Sequence, residues 1–153
     1  MNALELKIPP PIIALLLASA MWGISLVTPL LELSSPARIA ASVTIAVLGA
    51  GFDIAAVILF FRRRTTINPM KPAKTSALVV SGVYTVTRNP MYVGLLFFLV
   101  AWAVYLTSAW ALAGPLVFML YINRFQIEPE ERTLLKKYGN SYKAYKSSVR
   151  RWL

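Results

Sequence analysis

The residues best suited to chemistry lie where a polar stretch runs into an apolar one. Arg88, Asn89 and Pro90 are consecutive, and Tyr92 follows two residues later. Asparagine is a favoured N-cap, and proline suits the first helical position because its missing N–H costs nothing there. The pattern therefore predicts a helix that begins at Pro90, with Arg88, Asn89 and Tyr92 at its mouth. Its free N–H groups and positive dipole end would attract an anionic group.

A second candidate region is acidic. Three of the six acids in the chain are Glu128, Glu130 and Glu131, which surround Pro129. One interpretation is helix stabilisation, because proline and carboxylates are common in the first turn of a helix. The other is a binding site, since the predicted topology places this turn on the same membrane face as Arg88. Neighbouring cationic and anionic elements would suit a zwitterionic ligand with an apolar end.

Composition excludes several kinds of chemistry. The chain contains no cysteine and no histidine. It therefore has no disulfide framework, thiol nucleophile, imidazole base or Cys/His metal site, and we predict no bound metal. With 58% hydrophobic residues and a mean hydropathy of +0.62, the sequence is too apolar for a soluble domain of 153 residues.

Four apolar segments predict an all-α integral membrane protein, with residues 1–153 forming one membrane domain. The predicted transmembrane helices are 11–33, 39–61, 91–107 and 109–123, with a cytoplasmic loop at 62–90 and a cytoplasmic tail at 124–153. This arrangement puts 15 of the 16 Lys and Arg residues on one side and leaves Arg38 opposite. The asymmetry predicts a multi-pass protein with both termini in the cytoplasm. We therefore expect the net charge of +10 to interact with the lipid bilayer and not with nucleic acid.

Three further predictions concern the C-terminal tail, Asp53 and Gly94. The tail predicts amphipathic helices that are interrupted near Gly139 and fold back over the cytoplasmic loop. Asp53 is an ionisable residue inside a predicted span, and we interpret it either as a structural residue or as a residue near the substrate. Gly94, one turn into the third span, either permits close helix packing or widens a lateral opening for an acceptor from the lipid.

The motifs on both sides of the third and fourth spans resemble a known superfamily. They are Leu78-Val79-x-Ser81-Gly82-x-Tyr84-x-x-x-Arg88-Asn89-Pro90-Met91-Tyr92-x-Gly94, then Glu130-Glu131-x-x-Leu134 and Tyr138-Gly139-x-x-Tyr142-x-x-Tyr145. This pattern is similar to that of the isoprenylcysteine carboxyl methyltransferase and phospholipid methyltransferase superfamily. The resemblance implies an integral-membrane enzyme that uses S-adenosyl-L-methionine without a Rossmann domain, with a cofactor site formed by the cytoplasmic loop and the C-terminal amphipathic helices. The cofactor-binding residues implied are Ser76, Ala77, Leu78, Val79, Tyr84, Asn89, Pro90, Met91, Tyr92 and Glu130.

Two positions differ from the eukaryotic carboxyl methyltransferases of this superfamily. Those enzymes have histidine in place of Asn89 and a substrate-binding arginine in place of Gln126. Arg124 lies two residues from Gln126, and we assign both residues to substrate binding. Arg88 and Glu131 are the candidate catalytic residues, with Glu131 or Asp53 available to deprotonate an amine acceptor.

The predicted reaction is methyl transfer to a lipid-like or membrane-partitioned acceptor. A sulfonium donor carries the reactivity, so the protein has to align the reactants and exclude water. A carboxylate, an amine and a thiol all remain open as the acceptor, and so does the oligomeric state. The alternatives are a small four-helix exporter that relies on Asp53, an NADPH-dependent reductase of the same superfamily, and a non-catalytic membrane scaffold.

Overall fold

The computed structural model describes residues 4–62 and 78–153 of the chain, and the described residues form helices joined by short turns. Five α-helices account for most of them: α1 (Pro10–Ser25), α2 (Ser35–Arg62), α3 (Pro90–Leu106), α4 (Ala113–Ile122) and α5 (Glu128–Ser148). Short 3-10 helices cover Gly82–Thr85 and Ala109–Leu112, and a π-helical turn covers Asn123–Ile127. The prediction of an all-α fold is confirmed for these residues.

Helix α2 is the clearest candidate for a membrane span. It has 28 residues and a mean hydropathy of 2.3 over an 18-residue window, and its length of about 42 Å exceeds the hydrocarbon core of a bilayer. Helices α1 and α3 are apolar but shorter, with 16 and 17 residues. Of the four predicted spans, α2 therefore meets the requirements of length and composition within the described residues.

The first helix is shorter than predicted. The apolar run 11–33 suggested one span, but α1 ends at Ser25. Pro29 cannot donate a backbone hydrogen bond and so does not continue a helix. Instead, the Leu31 N–H donates to the Thr107 carbonyl oxygen at 2.6 Å, and the Thr28 and Ser108 hydroxyls hydrogen bond at 2.9 Å. The segment after α1 thus packs on the turn that follows α3.

Helices α2 and α3 cross closely at two glycines. A Cβ atom added to Gly49 would lie 2.9 Å from the Gly94 carbonyl oxygen, and one added to Gly94 would lie 2.2 Å from Asp53 Oδ1. The space beside Gly94 is therefore filled by the Asp53 side chain, which favours the packing interpretation of this glycine over a lateral opening. Asp53 Oδ1 is buried and has no hydrogen-bond partner in the described structure.

A continuous helical segment runs from α4 into α5 through the π-helical turn. Ile127, directly before α5, is itself helical with φ −67° and ψ −47°. Pro129 lacks an N–H and cannot bond to the Phe125 carbonyl oxygen four residues earlier, and that oxygen accepts the Leu6 N–H at 3.0 Å. The acidic residues consequently follow an uninterrupted helix and do not face a free N-terminus, which weakens their interpretation as helix-stabilising residues. Farther along α5, Gly139 has φ 51° and ψ −124°, so the predicted interruption is confirmed.

Candidate functional site

The start of α3 is held by the C-terminal segment, which we define as residues 149–153. Pro90 is the first residue of α3, and Asn89 precedes it as predicted. The Asn89 side chain, however, does not cap the helix, because its Nδ2 donates to the Arg151 carbonyl oxygen at 2.8 Å. The Thr87 hydroxyl donates to the same oxygen at 3.1 Å, and the Arg88 N–H donates to the Arg150 carbonyl oxygen at 2.9 Å. These bonds fix the C-terminal segment across the entry to α3.

Arg88 and Glu131 form the centre of a buried ion cluster. Their side chains are each 8% exposed, and Arg88 Nη2 lies 2.8 Å from Glu131 Oε1. Glu131 also accepts hydrogen bonds from Arg151 at 3.1 and 3.0 Å and pairs with Lys146 Nζ at 2.7 Å. The second terminal nitrogen of Arg88 donates to the Lys146 carbonyl oxygen at 3.0 Å and to the Val149 carbonyl oxygen. The cluster therefore ties the end of α5 to the segment before α3.

The charge state of Glu131 follows from these contacts. Burial alone would raise the pKa of this carboxyl, but hydrogen bonds from Arg151, Lys146 and Arg88 outweigh it and lower the pKa to about 2. A carboxylate with such a low pKa is a weak proton acceptor near neutral pH. The contacts favour a positioning role for Arg88 and Glu131, and their assignment as catalytic residues stays a prediction.

Glu130 lies in a different environment from that of its neighbour. Its Oε1 accepts hydrogen bonds from the Tyr92 hydroxyl and from Gln126 Nε2, both at 2.6 Å. Tyr92 and Gln126 are 7% and 2% exposed, so the start of α3 and the π-helical turn hold this oxygen from two sides. No hydrogen bond to the second oxygen, Oε2, is seen among the described residues, and the residue as a whole is half-buried. This oxygen keeps acceptor capacity for a ligand that carries hydroxyl or ammonium donors.

Burial sets the ionisation of Glu130. Loss of solvation raises the pKa of its carboxyl to about 7, although the hydrogen bonds from Tyr92 and Gln126 lower it and the charge of Glu131 raises it. A carboxyl group that titrates near neutral pH in a partly enclosed site is typical of functional positions. It accepts a proton more readily than Glu131 does under the same conditions.

A second cluster, made of tyrosines and aliphatic residues, lies beside the ion cluster, and we call it the aromatic cluster. Its buried members are Ala56, Val79, Tyr84, Tyr142 and Tyr145, and Leu78, Phe60 and Met91 pack against them. The Tyr145 hydroxyl donates to the Tyr84 carbonyl oxygen at 2.7 Å, and the rings of Phe60 and Tyr84 meet edge to face at 5.7 Å. Burial raises the pKa of the Tyr142 hydroxyl to about 12, and it also raises the pKa of Tyr84 and Tyr145. These phenols are neutral and pack into a largely apolar cluster with a few polar atoms.

The structure brings together most of the residues selected from the sequence. Leu78, Val79, Tyr84 and Met91 belong to the aromatic cluster, Asn89, Pro90 and Tyr92 form the entry to α3, and Glu130 contacts Tyr92. Ser76 and Ala77 lie outside the described residues. The two substrate-binding candidates lie in different environments. Gln126 is buried against Glu130, whereas the Arg124 side chain is 47% exposed and pairs with Glu128 at 3.0 Å.

Sequence reasoning missed three residues that organise the site. Lys146 and Arg151 complete the shell of Glu131, and Glu5 is buried beside the π-helical turn, where its carboxylate lies 2.7 Å from Arg132 and 3.7 Å from Arg124. In the sequence, the two cations are part of a generally basic tail, which gave no reason to select them. Glu5 carried one usable signal, because it is a single acid a few residues before an apolar run.

The fold indicates a membrane-associated helical protein, and the candidate site lies at the start of the apolar helix α3. The sequence model of the phospholipid methyltransferase family matches residues 37–141, which is more than half of the chain and includes most of α2, all of α3 and α4, and Glu130. The protein therefore belongs to the phospholipid methyltransferase family, and the resemblance seen in its motifs is confirmed. Membership implies the methyltransferase class.

One curated relative is an uncharacterized protein of Haemophilus influenzae. It is 48% identical to this chain over 63 residues, which are 41% of this chain and 100% of the relative. No solved structure matches the chain. The functional class thus rests on the family match, and the candidate site rests on the geometry of the residues around Glu130.

Proposed function

We propose that this protein transfers a methyl group from S-adenosyl-L-methionine to a lipid-like or membrane-partitioned acceptor. The family match supports the methyltransferase class. The observation that carries the proposal is the half-buried Glu130 carboxylate, which Tyr92 and Gln126 both hold by the same oxygen, Oε1. This group lies at the start of the apolar helix α3, where a cofactor from water and an acceptor from the bilayer can meet.

The residues present fit the proposed cofactor. S-adenosyl-L-methionine has hydroxyl and ammonium donors, an apolar ring system and a sulfonium centre that supplies the reactive methyl group. Oε2 of Glu130, to which no described residue donates, suits the hydroxyl and ammonium groups, and such charge-assisted hydrogen bonds are short and strong. Tyr84, Tyr142 and Tyr145 are buried nearby, so an apolar ring system beside them would have a largely apolar neighbourhood. A carboxylate near the cationic sulfonium group also stabilises the bound cofactor electrostatically.

The protein itself contributes position and exclusion of water. Arg88 and Glu131 fasten α5 and the C-terminal segment to the entry of α3, which keeps Glu130 opposite Tyr92. Alignment of reacting groups can account for much of the acceleration of a transfer reaction. The neutral tyrosines of the aromatic cluster shield the site from solvent on the α5 side.

The proposed topology is the four-span arrangement with both termini in the cytoplasm. The length of α2 and the basic residues at its Arg62 end support it. The chain has no native cysteine, so single introduced cysteines report position without background. In sealed vesicles of known orientation, a membrane-impermeant maleimide should label Ser34→Cys from the extracytoplasmic side and Ser147→Cys from the cytoplasmic side. Labelling of both positions from one side would contradict the topology.

The decisive experiment measures cofactor binding to the purified protein in nanodiscs. We expect S-adenosylhomocysteine to bind and NADPH not to bind. Glu130→Gln should weaken the affinity for S-adenosylhomocysteine by about 10- to 100-fold, because a charge-assisted hydrogen bond contributes about 1.5–3 kcal/mol. Glu128→Gln is the matched control, since Glu128 is partly exposed and pairs with Arg124.

The results of these binding measurements distinguish a methyltransferase from the alternative functions. Equal affinity of the Glu130→Gln and Glu128→Gln variants would remove Glu130 from the cofactor site. Tight binding of NADPH alone would favour a reductase. With binding established, transfer of a labelled methyl group into the organic phase of a lipid extract identifies a membrane-partitioned acceptor, and label only in the aqueous phase would refute that part of the proposal.

A further inference from the structure

A shallow groove runs between α2 and α3 at the end remote from Glu130. Its volume is about 310 Å³, and its lining residues are Ser42, Val43, Ala46, Phe98, Ala101, Trp102 and Tyr105. The one hydroxyl among the α2 residues of this lining, that of Ser42, already donates to the Arg38 carbonyl oxygen at 2.7 Å. Its lining thus offers almost exclusively apolar surface. Ala46, the lining residue of α2 nearest to the aromatic cluster, is separated from Ala56 of that cluster by about 15 Å along α2, so the groove is distinct from the proposed methyl-transfer site.

Arg38 lies at the open end of this groove, one helical turn before Ser42. Its guanidinium carbon is 5.2 Å from the centre of the Tyr105 ring, a distance typical of cation–π contacts. Tyr105 in turn stacks on Trp102, with ring centres 5.5 Å apart and planes 13° from parallel. Trp102 Nε1 donates to the Ala18 carbonyl oxygen at 3.0 Å. The cation is therefore placed by a fixed stack of aromatic rings.

The charge of Arg38 is not compensated within the structure. All six carboxylate side chains of the chain belong to the described residues, and none of them forms a salt bridge with Arg38. Its Nε atom is buried and lacks a hydrogen-bond partner among the described residues. The guanidinium therefore keeps an uncompensated positive charge, and an anion beside it would form a charge-assisted interaction.

From these observations we propose that the groove binds an anionic phospholipid, with its phosphate on Arg38 and an acyl chain along the α2–α3 surface. The proposal rests on α2 crossing the bilayer and does not depend on methyl transfer. Neutral lipids fill the groove equally well by apolar contact, because lipid chains gain no hydrophobic energy by moving from the bilayer to an apolar protein surface. Selection must then come from the headgroup. One arginine near a membrane surface favours an anionic lipid by about fivefold.

The test uses tryptophan fluorescence in nanodiscs of phosphatidylcholine that contain a minor fraction of acyl-brominated phosphatidylglycerol or of acyl-brominated phosphatidylcholine. Trp102 lines the groove and becomes the single tryptophan when Trp22, Trp110 and Trp152 are each changed to phenylalanine. We expect brominated phosphatidylglycerol to quench Trp102 at about one fifth of the concentration that brominated phosphatidylcholine requires. Arg38→Gln should abolish this difference, and Lys143→Gln, which changes an exposed cation of α5, should preserve it.

A second measurement keeps all four tryptophans. After detergent extraction from mixed phosphatidylglycerol and phosphatidylcholine bilayers, native mass spectrometry should show retained phosphatidylglycerol on the wild-type protein and on Lys143→Gln, with a loss of about fivefold on Arg38→Gln. Equal retention of both lipids, or unchanged selectivity in Arg38→Gln, would overturn the proposal. Quenching that disappears when a disc holds two copies in place of one would assign the groove to a second copy of the chain and would also overturn it.

Discussion

Replacement of Glu131 by glutamine is the most informative perturbation of the site. The substitution keeps the shape of the side chain and removes the charge that Arg88, Lys146 and Arg151 share. The shift of the Glu131 pKa from 4.5 to about 2 corresponds to about 3 kcal/mol of stabilisation at neutral pH. Most of the expected loss arises at Arg88, which is 8% exposed and would remain buried without an anion.

The sign of the pH dependence follows from the lowered pKa. The contribution of Glu131 is fully present above its unfolded value of 4.5 and is lost as the pH falls from 4.5 toward 2. Reversible unfolding by sodium dodecyl sulfate in mixed micelles, followed by circular dichroism, measures the free energy of unfolding at each pH. Wild type should lose about 3 kcal/mol across this window, and Glu131→Gln should be less stable at pH 7 and should not lose that contribution.

A local measurement and a neighbouring control test the physical account. The Arg88 amide, which donates to Arg150, should exchange its hydrogen faster in Glu131→Gln, because the C-terminal segment loses its ionic attachment. Glu128→Gln affects a partly exposed pair with Arg124 and should cost less than about 0.5 kcal/mol. If both variants stay within about 1 kcal/mol of wild type, the ion cluster does not hold the site together, and the reasoning is refuted.

Two further predictions concern Glu130 and Gly94. The pKa of Glu130 is about 7, so affinity for S-adenosylhomocysteine should fall by up to about tenfold per pH unit below pH 7 as the carboxylate is protonated. Calorimetric titration from pH 5.5 to 8.5 should show this slope in the wild-type protein. An equal slope in Glu130→Gln would contradict the assignment. Gly94→Ala places a Cβ 2.2 Å from Asp53 Oδ1 and should destabilise by about 1–3 kcal/mol. Gly51→Ala, where nothing lies within 4 Å, should not, and Asp53→Ala should rescue Gly94→Ala if the contact is the cause.

Local sequence rules predicted the parts of the fold that depend on single residues. Pro90 fixed the start of α3 because its ring restricts the backbone, and Gly139 marked the interruption of α5 because glycine readily adopts the positive φ found there. The opposed placement of Tyr92 and Glu130 was predicted from topology, since it required only that both lie at one end of neighbouring helices. Apolar length was a poorer guide, because the run 11–33 continues beyond Pro29, whereas the helix ends before it.

The remaining features depend on tertiary contacts that have no local signal. Asn89 was expected to cap α3, but the C-terminal segment competes for its side chain and binds it through the Arg151 carbonyl oxygen. Pro129 was interpreted as a helix start, yet the Leu6 N–H satisfies the carbonyl oxygen that this proline leaves free, and the helix continues. In both cases a segment distant in sequence supplied a hydrogen bond that local rules assign to near neighbours.

The π-helical turn at Asn123–Ile127 determines the rotational register of the site. A π-helical turn contains one residue more than an α-helical turn, and each α-helical residue advances the chain by about 100°. Deletion of one residue from this turn would leave a regular helix but would rotate α5 by about 100° relative to α4. Glu130 would then turn away from Tyr92 and Glu131 from Arg88 in a single step. The number of residues in this turn therefore sets the direction of both glutamates, even through positions whose side chains contact neither of them.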